Sequence, residues 1–205
     1  MSGLGVPFEF DQYRKDALKE IGGICAGNAA TALSQLVRKK VEIQVPEVMF
    51  VPIEDVPKIV GEDKLIVGLV VRILGDIPSF ILLMFSQKDA LNLAALMTEK
   101  LPNGGGVITE MERSALKEIG VILANAYLGA LSVIVRWGLV PTVPELIEDM
   151  AEAVVDYILI ELSDVSQYAL LIRSDFTEAS HKITGHFFLI PNPEGLEILL
   201  KATEF

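Results

Sequence analysis

From Leu18 onward the apolar residues return at intervals of three and four: Leu18, Ile21, Cys25, Ala29, Ala32 and Leu36. That spacing places them on one face of a helix and predicts a long amphipathic helix over 11–39. The same texture reappears at 109–138, where Thr109 and Glu112 have capping-box spacing and glutamates crowd the first turns, where the helix dipole favours them. After each helix the pattern changes to β-branched apolar runs. These predict strands over 43–52, 65–73 and 79–86, and again over 154–163, 167–174 and 182–190. Helical spacing returns at 87–100 and at 193–205.

Slid on itself by 98 positions, the chain matches over residues 17–47 and 115–145 without a gap. The shared residues run from Ala17, Leu18, Lys19, Glu20, Ile21 and Gly22 to Val45, Pro46 and Glu47, sixteen identities in thirty-one positions. The protein is therefore an internal duplication with one long helix per copy. The copies, about 10–100 and 108–205, are joined by "LPNGGG" at 101–106, which cannot continue a helix. Helices beside consecutive strands, without strict alternation, predict an α+β fold with mixed or antiparallel pairing. Two halves related by a pseudo-two-fold are expected to share one sheet system.

Composition narrows the functions. A formal charge of −11 opposes a phosphate backbone as partner, since nucleic-acid binding relies on lysine and arginine. The richest apolar run, 65–85, is cut by Arg72, Asp76 and Pro78, so no membrane insertion is expected from it. The first residues lack a basic stretch followed by an apolar one, and a cytoplasmic location is the default expectation. The single cysteine, Cys25, falls on the apolar side of its helix and reads as a small buried hydrophobe.

The polar side of each long helix holds the candidate chemistry. Asp16, Glu20, Gly23 and Gly27 form one stripe, and Ser114, Glu118, Val121 and Asn125 form its copy. A lone glutamate on a helix is ordinarily a solvated charge. Two at equivalent sites in the best-preserved stretch of a duplication are better read as functional. Gly22 and Gly120, each unfavourable by about 1 kcal/mol in a helix interior, read as points of close approach to another backbone.

"DALKEIGGICAGNAATAL" with Pro46 downstream, and "SALKEIGVILANAYLGAL" with Pro144, resemble the CheC/CheX/FliY family of chemotaxis phosphatases, and within it the duplicated CheC type. The family signature is an aspartate or serine, a glutamate four residues on, an asparagine three further, and a proline twenty-three beyond. Asp16, Glu20 and Pro46 match the first copy; Ser114, Glu118 and Pro144 match the second. Gly23 and Val121 stand where the asparagines belong. The resemblance implies a single CheC-like domain with no cofactor, acting on the phosphorylated aspartate of a CheY-type response regulator. It implies that Glu20 and Glu118 contact a lysine of the regulator and that the asparagine orients the attacking water. It also suggests the deamidase CheD as a second partner.

Glycine and valine supply no side-chain donor or acceptor. Asn125 lies seven residues past Glu118, about 10 Å along the axis, and Asn28 lies farther still and rotated; both read as structural. His181 and His186 are five apart in a strand pattern, on opposite faces, and with no cysteine or carboxylate cluster at ligand spacing no metal site is expected. The "GGG" at 104–106 lacks the ending of a phosphate loop. Three functions fit the sequence: a weakly active hydrolase of phosphorylated regulator, an inactive adaptor for CheY or CheD, and, with less support, a flagellar switch component like the middle domain of FliM.

Overall fold

A computed structural model describes residues 12–61, 64–76, 78–98, 107–161, 167–179 and 181–201. The first repeat runs α1 (Gln12–Val37), β1 (Val41–Pro52), a 3-10 turn, α2 (Val56–Val60), β2 (Leu65–Gly75), β3 (Ser79–Ser86) and α3 (Gln87–Thr98). The second runs α4 (Glu110–Val135), β4 (Leu139–Pro141), β5 (Glu145–Met150), α5 (Ala151–Glu161), β6 (Tyr168–Glu178), β7 (His181–Pro191) and α6 (Pro193–Lys201). The sequence 101–106, expected to join the halves, lies outside the described residues.

All seven strands form one antiparallel sheet in the order β1-β6-β7-β3-β2-β4, with β5 also pairing β2. The repeats exchange strands. β1 of the first pairs with β6 of the second, and β5 of the second pairs with β2 of the first. Val51 faces Ala169 at one edge, and Asp149, ninety-eight residues after Val51, faces Ile66 at the other, although Ala169 follows Ile66 by 103. The two hairpins meet where β3 pairs β7 antiparallel, Leu82 opposite Phe188 and Leu83 opposite Phe187.

Residues alternate across this sheet, so each strand feeds two cores. Val67, Leu69, Val71, Ile81, Leu83, Phe85, Ile172, Phe187 and Leu189 pack beneath α1, α3 and α4. Ile66, Val70, Phe80, Leu82, Met84, Leu171, Phe188 and Ile190 pack against α2 and α5. The result is helix, sheet and helix layers in an α+β arrangement.

The strand expected at 154–163 is a helix, α5. Val154, Val155 and Ile158 are buried at helical spacing while Glu152 and Asp156 stay exposed, so packing on the sheet overrides the β preference of the valines and isoleucines. The strand of that repeat is instead the acidic segment "ELIEDM", β5, which the apolar pattern does not show. The short α2 in the first repeat is the counterpart of the middle of α5 and was likewise unmarked by periodicity.

Both prolines of the signature interrupt their strands. The β1–β6 register slips between Gln44 and Glu47, around Pro46, and the equivalent Pro144 separates β4 from β5. A residue without an N–H cannot bond on into a ladder, so proline settles at a bulge or a break. In the second repeat Thr142 bridges the gap, its N–H donating to the Arg72 carbonyl at 2.8 Å and its hydroxyl accepting from the Arg72 N–H at 3.1 Å.

The buried stripe of α1 runs Leu18, Gly22, Cys25, Ala26, Ala29, Leu33 and Val37, while Ile21, Ala32 and Leu36, expected in the core, are only partly covered. The stripe is turned toward β1 and α4, on both of which α1 packs. By length and composition the stretch Glu110–Val133 of α4 could cross a bilayer. Here Leu116, Ile119, Leu123, Ala124 and Leu128 lie in the core shared with α1 and the sheet.

Candidate functional site

The site is built on the outer surfaces of α1 and α4, the two long helices that pack together on one face of the sheet. A capping box starts α4: Thr109 Oγ1 accepts from the Glu112 N–H, and the Glu112 carboxylate accepts from the Thr109 N–H at 2.7 Å. Each helix ends on an arginine in the left-handed region, Arg38 at φ 53° and Arg136 at φ 58°, so the repeats share even their helix stops.

Between these ends the expected residues fall where the stripe placed them. Asp16, Glu20 and Gly23 are exposed on α1; Ser114 and Glu118 are exposed on α4, and Val121 is partly exposed. A Cβ built on Gly23 meets no atom within 4 Å. That position is open to solvent and free of any packing reason for glycine. Gly27 is equally open.

One residue earlier the situation reverses. A Cβ on Gly22 would stand 3.3 Å from a Val48 methyl and 3.5 Å from Val45. On Gly120 it would stand 3.2 Å from both the Pro144 ring and Leu69. Close approach is confirmed, but the neighbours are side chains of the layer below and not another backbone. Pro144 is buried and supports the helix two residues from Glu118, whereas Pro46 is exposed and Val48 and Val45 take its place under Gly22.

Asn125 does not compensate for the absent amides. Its Nδ2 donates to the Val121 carbonyl at 2.7 Å, folding the carboxamide against its own helix. Arg113, one turn before Glu118, pairs with Glu148 on β5, which ties α4 to the strand after Pro144. Sequence reasoning missed this contact because Glu148 sits in the strand the apolar pattern left unmarked.

The remaining titratable groups near the core are structural. Cys25 is buried, and burial pushes its thiol up to about 11. Tyr127, stacked on Phe187 at 4.3 Å between ring centroids, shares a 3.0 Å hydrogen bond with Ser174, and burial raises its hydroxyl to about 12. Burial, then the charge of Arg173, holds His186 below the usual imidazole range. His186 stacks near Phe188 in β7.

Comparison with known proteins agrees with this geometry. The model of the CheC-like family matches residues 14–50, which hold nearly all of α1 with its glutamate and most of β1. The CheY-P phosphatase CheC of Bacillus subtilis is 31% identical over 201 residues, covering 93% of this chain and 94% of that protein. Among solved structures, Thermotoga maritima FliY superposes with a TM-score of 0.76 at 17% identity, covering 96% of this chain and 98% of that one. CheX in the CheX–CheY–BeF3–Mg complex of Borrelia burgdorferi superposes with a TM-score of 0.52 at 15% identity, covering 82% and 95%. The two structures share the fold; the Bacillus relative shares sequence along nearly the whole chain. A duplicated α+β domain with an exposed glutamate at the same turn of both long helices, and that degree of identity throughout, belongs to the CheC family.

Proposed function

We propose that the protein acts in chemotaxis by docking on a phosphorylated CheY-type response regulator through α1 and α4, with Glu20 and Glu118 as the contacting carboxylates and Asp16 and Ser114 beside them. The observation that carries this reading is the exposure of both glutamates at equivalent turns, with no partner among the described residues that would explain keeping them. The Bacillus relative, named a CheY-P phosphatase, supports the substrate class. A carboxylate at a partly dehydrated interface forms a charge-assisted hydrogen bond to an ammonium, about twice as strong as a neutral one.

Hydrolysis of the acyl phosphate is slow in this reading. Phosphoryl transfer depends on positioning and on stabilising charge. Neither Gly23 nor Val121 can orient a water, and the amide of Asn125 is spent on a backbone carbonyl. The protein therefore binds the phosphorylated regulator well and turns it over poorly. The decay of acyl phosphate on a CheY-type regulator, with and without this protein, is the test. Acceleration by a factor of a few supports the reading, no change leaves binding alone, and full activity moves the catalytic role to another group. The second reading, an inactive adaptor for CheY or CheD, is favoured by the same two missing amides.

A further inference from the structure

Toward the C-terminal end of α1 a cleft of about 540 Å³ opens between Thr31, Ser34 and Gln35 on the helix and the turn 38–40 that leads into β1. The turn contributes Arg38, Lys39 and Lys40, and no acidic residue lines the cleft. In a chain with 28 acidic residues against 17 lysines and arginines, an unbroken basic lining departs from the molecule's own balance.

The walls are fixed by hydrogen bonds. Ser34 Oγ accepts from the Val41 N–H at 2.9 Å and donates to the Val41 carbonyl at 3.2 Å, and the Thr31 hydroxyl donates to the Gly27 carbonyl at 3.0 Å. Arg38 and Lys39 are exposed and make no ion pair among the described residues. Lys40 meets Glu42 at 2.5 Å, but both side chains are exposed, and such a pair contributes little against a competing carboxylate.

The second repeat differs at this turn in a telling way. Its strand opens at Leu139, ninety-eight residues after Val41, and Leu139 pairs with Gly75 as Val41 pairs with Glu178. Asp76, the residue after Gly75, closes the turn: its Oδ2 accepts the Gly138 N–H at 2.9 Å, and its own N–H donates to the Gly138 carbonyl at 3.2 Å. The residue after Glu178 is Ala179, whose side chain offers no acceptor. Arg38 and Arg136 are common to both repeats and answer the helix dipole, but Lys39 and Lys40 stand where the second repeat has Trp137 and Gly138. One copy brings its own carboxylate to the turn; the other brings two further cations.

We infer that this cleft receives an acidic segment of a partner protein, with its carboxylates against Arg38, Lys39 and Lys40. The volume fits a segment and not a lone ion, since a water occupies about 30 Å³ and a single carboxylate or phosphate fills only a small part of the space. Walls already held by Ser34 and Thr31 leave little ordering for binding to impose. The charge of −11 repels acidic segments from the rest of the surface and so favours this place. The inference is independent of regulator docking: Arg38 lies eighteen residues past Glu20, about 27 Å along the helix.

The test is an NMR titration of the intact, isotope-labelled protein at low salt with hexaglutamate, and in a separate arm with inorganic phosphate. Hexaglutamate is expected to shift the amide resonances of Thr31, Gln35 and Arg38 to Val41, and to leave those of Glu20 and of Arg136 to Gly138 in place. Its affinity should fall about fivefold in Lys39→Gln/Lys40→Gln, the scale of two partly exposed ion pairs lost. Both lysines are exposed, so the variant should fold as the parent does. The Glu20→Ala/Glu118→Ala variant should bind the peptide as tightly as the parent, which separates this site from the proposed docking face. Absence of any shift overturns the inference, and so does a shift of equal size at the second repeat's turn or an unchanged affinity in the lysine variant. Phosphate that saturates the same resonances at the same concentration as the peptide also overturns it, making the cleft a small-anion site.

Discussion

Pro144 lies directly under Gly120: a Cβ added to that glycine would approach the proline ring to 3.2 Å, while one added to Gly23 on the companion helix would meet nothing within 4 Å. Two glycines in equivalent helices are thus kept by different forces. Gly23→Ala should stabilise the protein by about 1 kcal/mol through helix propensity alone. Gly120→Ala meets a rigid, buried ring and a core leucine, and should fall at least about 1 kcal/mol short of Gly23→Ala, the usual scale of a small overpacking. Urea denaturation of the two variants side by side decides it. Equal stabilisation would mean that Pro144 yields.

The docking reading predicts that Glu20→Ala and Glu118→Ala together weaken binding to a regulator loaded with a phosphate mimic. A hydrogen bond to a charged group contributes about 1.5–3 kcal/mol, so the loss should be roughly tenfold or more. Both glutamates are exposed, so the melting temperature should not change. Equal affinity of parent and double variant in calorimetry would reduce both stripes to solvated surface.

Restoring the amide should raise turnover. Gly23→Asn and Val121→Asn each return a group able to hold a water, and a positioned catalytic group is worth about 10²–10⁴ in rate. Gly23→Asn fits without contact, whereas Val121→Asn gives up partly covered methyl surface. Phosphate release at equal regulator concentration compares them with the parent. A parent already as fast as either variant removes the amide from the mechanism.

Alkaline pH should destabilise the fold through two groups. Burial raises the Cys25 thiol from 9.0 to about 11 and the Tyr127 hydroxyl from 10.0 to about 12. Both acids hold their protons more tightly when folded, so the stability they contribute is complete below pH 9 and declines as pH rises through 9 to 12. Chemical denaturation from pH 8 to 11 should show this slope, flattened in Cys25→Ala above pH 9. Cys25 should also resist iodoacetamide at pH 8 until the protein is unfolded.

The two long helices were legible because residues 17–47 and 115–145 repeat a periodic pattern in which the local signals agree, from the Thr109 cap to the arginine stops. The exposed glutamates followed from that periodicity. The second repeat's edge was not legible. β5 carries Glu145, Glu148 and Asp149, because an end strand meets solvent and Glu148 is needed by Arg113, so no apolar alternation marks it. α5 is dense in valine and isoleucine because it is the main cover of one whole sheet face, and a helix that apolar resembles a buried strand. The reason for Gly22 and Gly120 was half legible: periodicity gave the close approach, and only packing reveals that side chains make it.

The exchange of β1 and β5 between the repeats fixes how such a chain can be divided. Cut between the halves, each piece would keep a hairpin and a long helix but surrender the strand that pairs beside its hairpin, leaving Leu171 or Val67 at a bare edge. A polypeptide of one repeat could complete its sheet only by trading that strand with a second copy of itself. The present molecule is then the equivalent of a strand-swapped homodimer written into one chain. That fusion let the two copies diverge, with Asp55 in one and alanine at 153 in the other, which a symmetric pair of identical chains could never do.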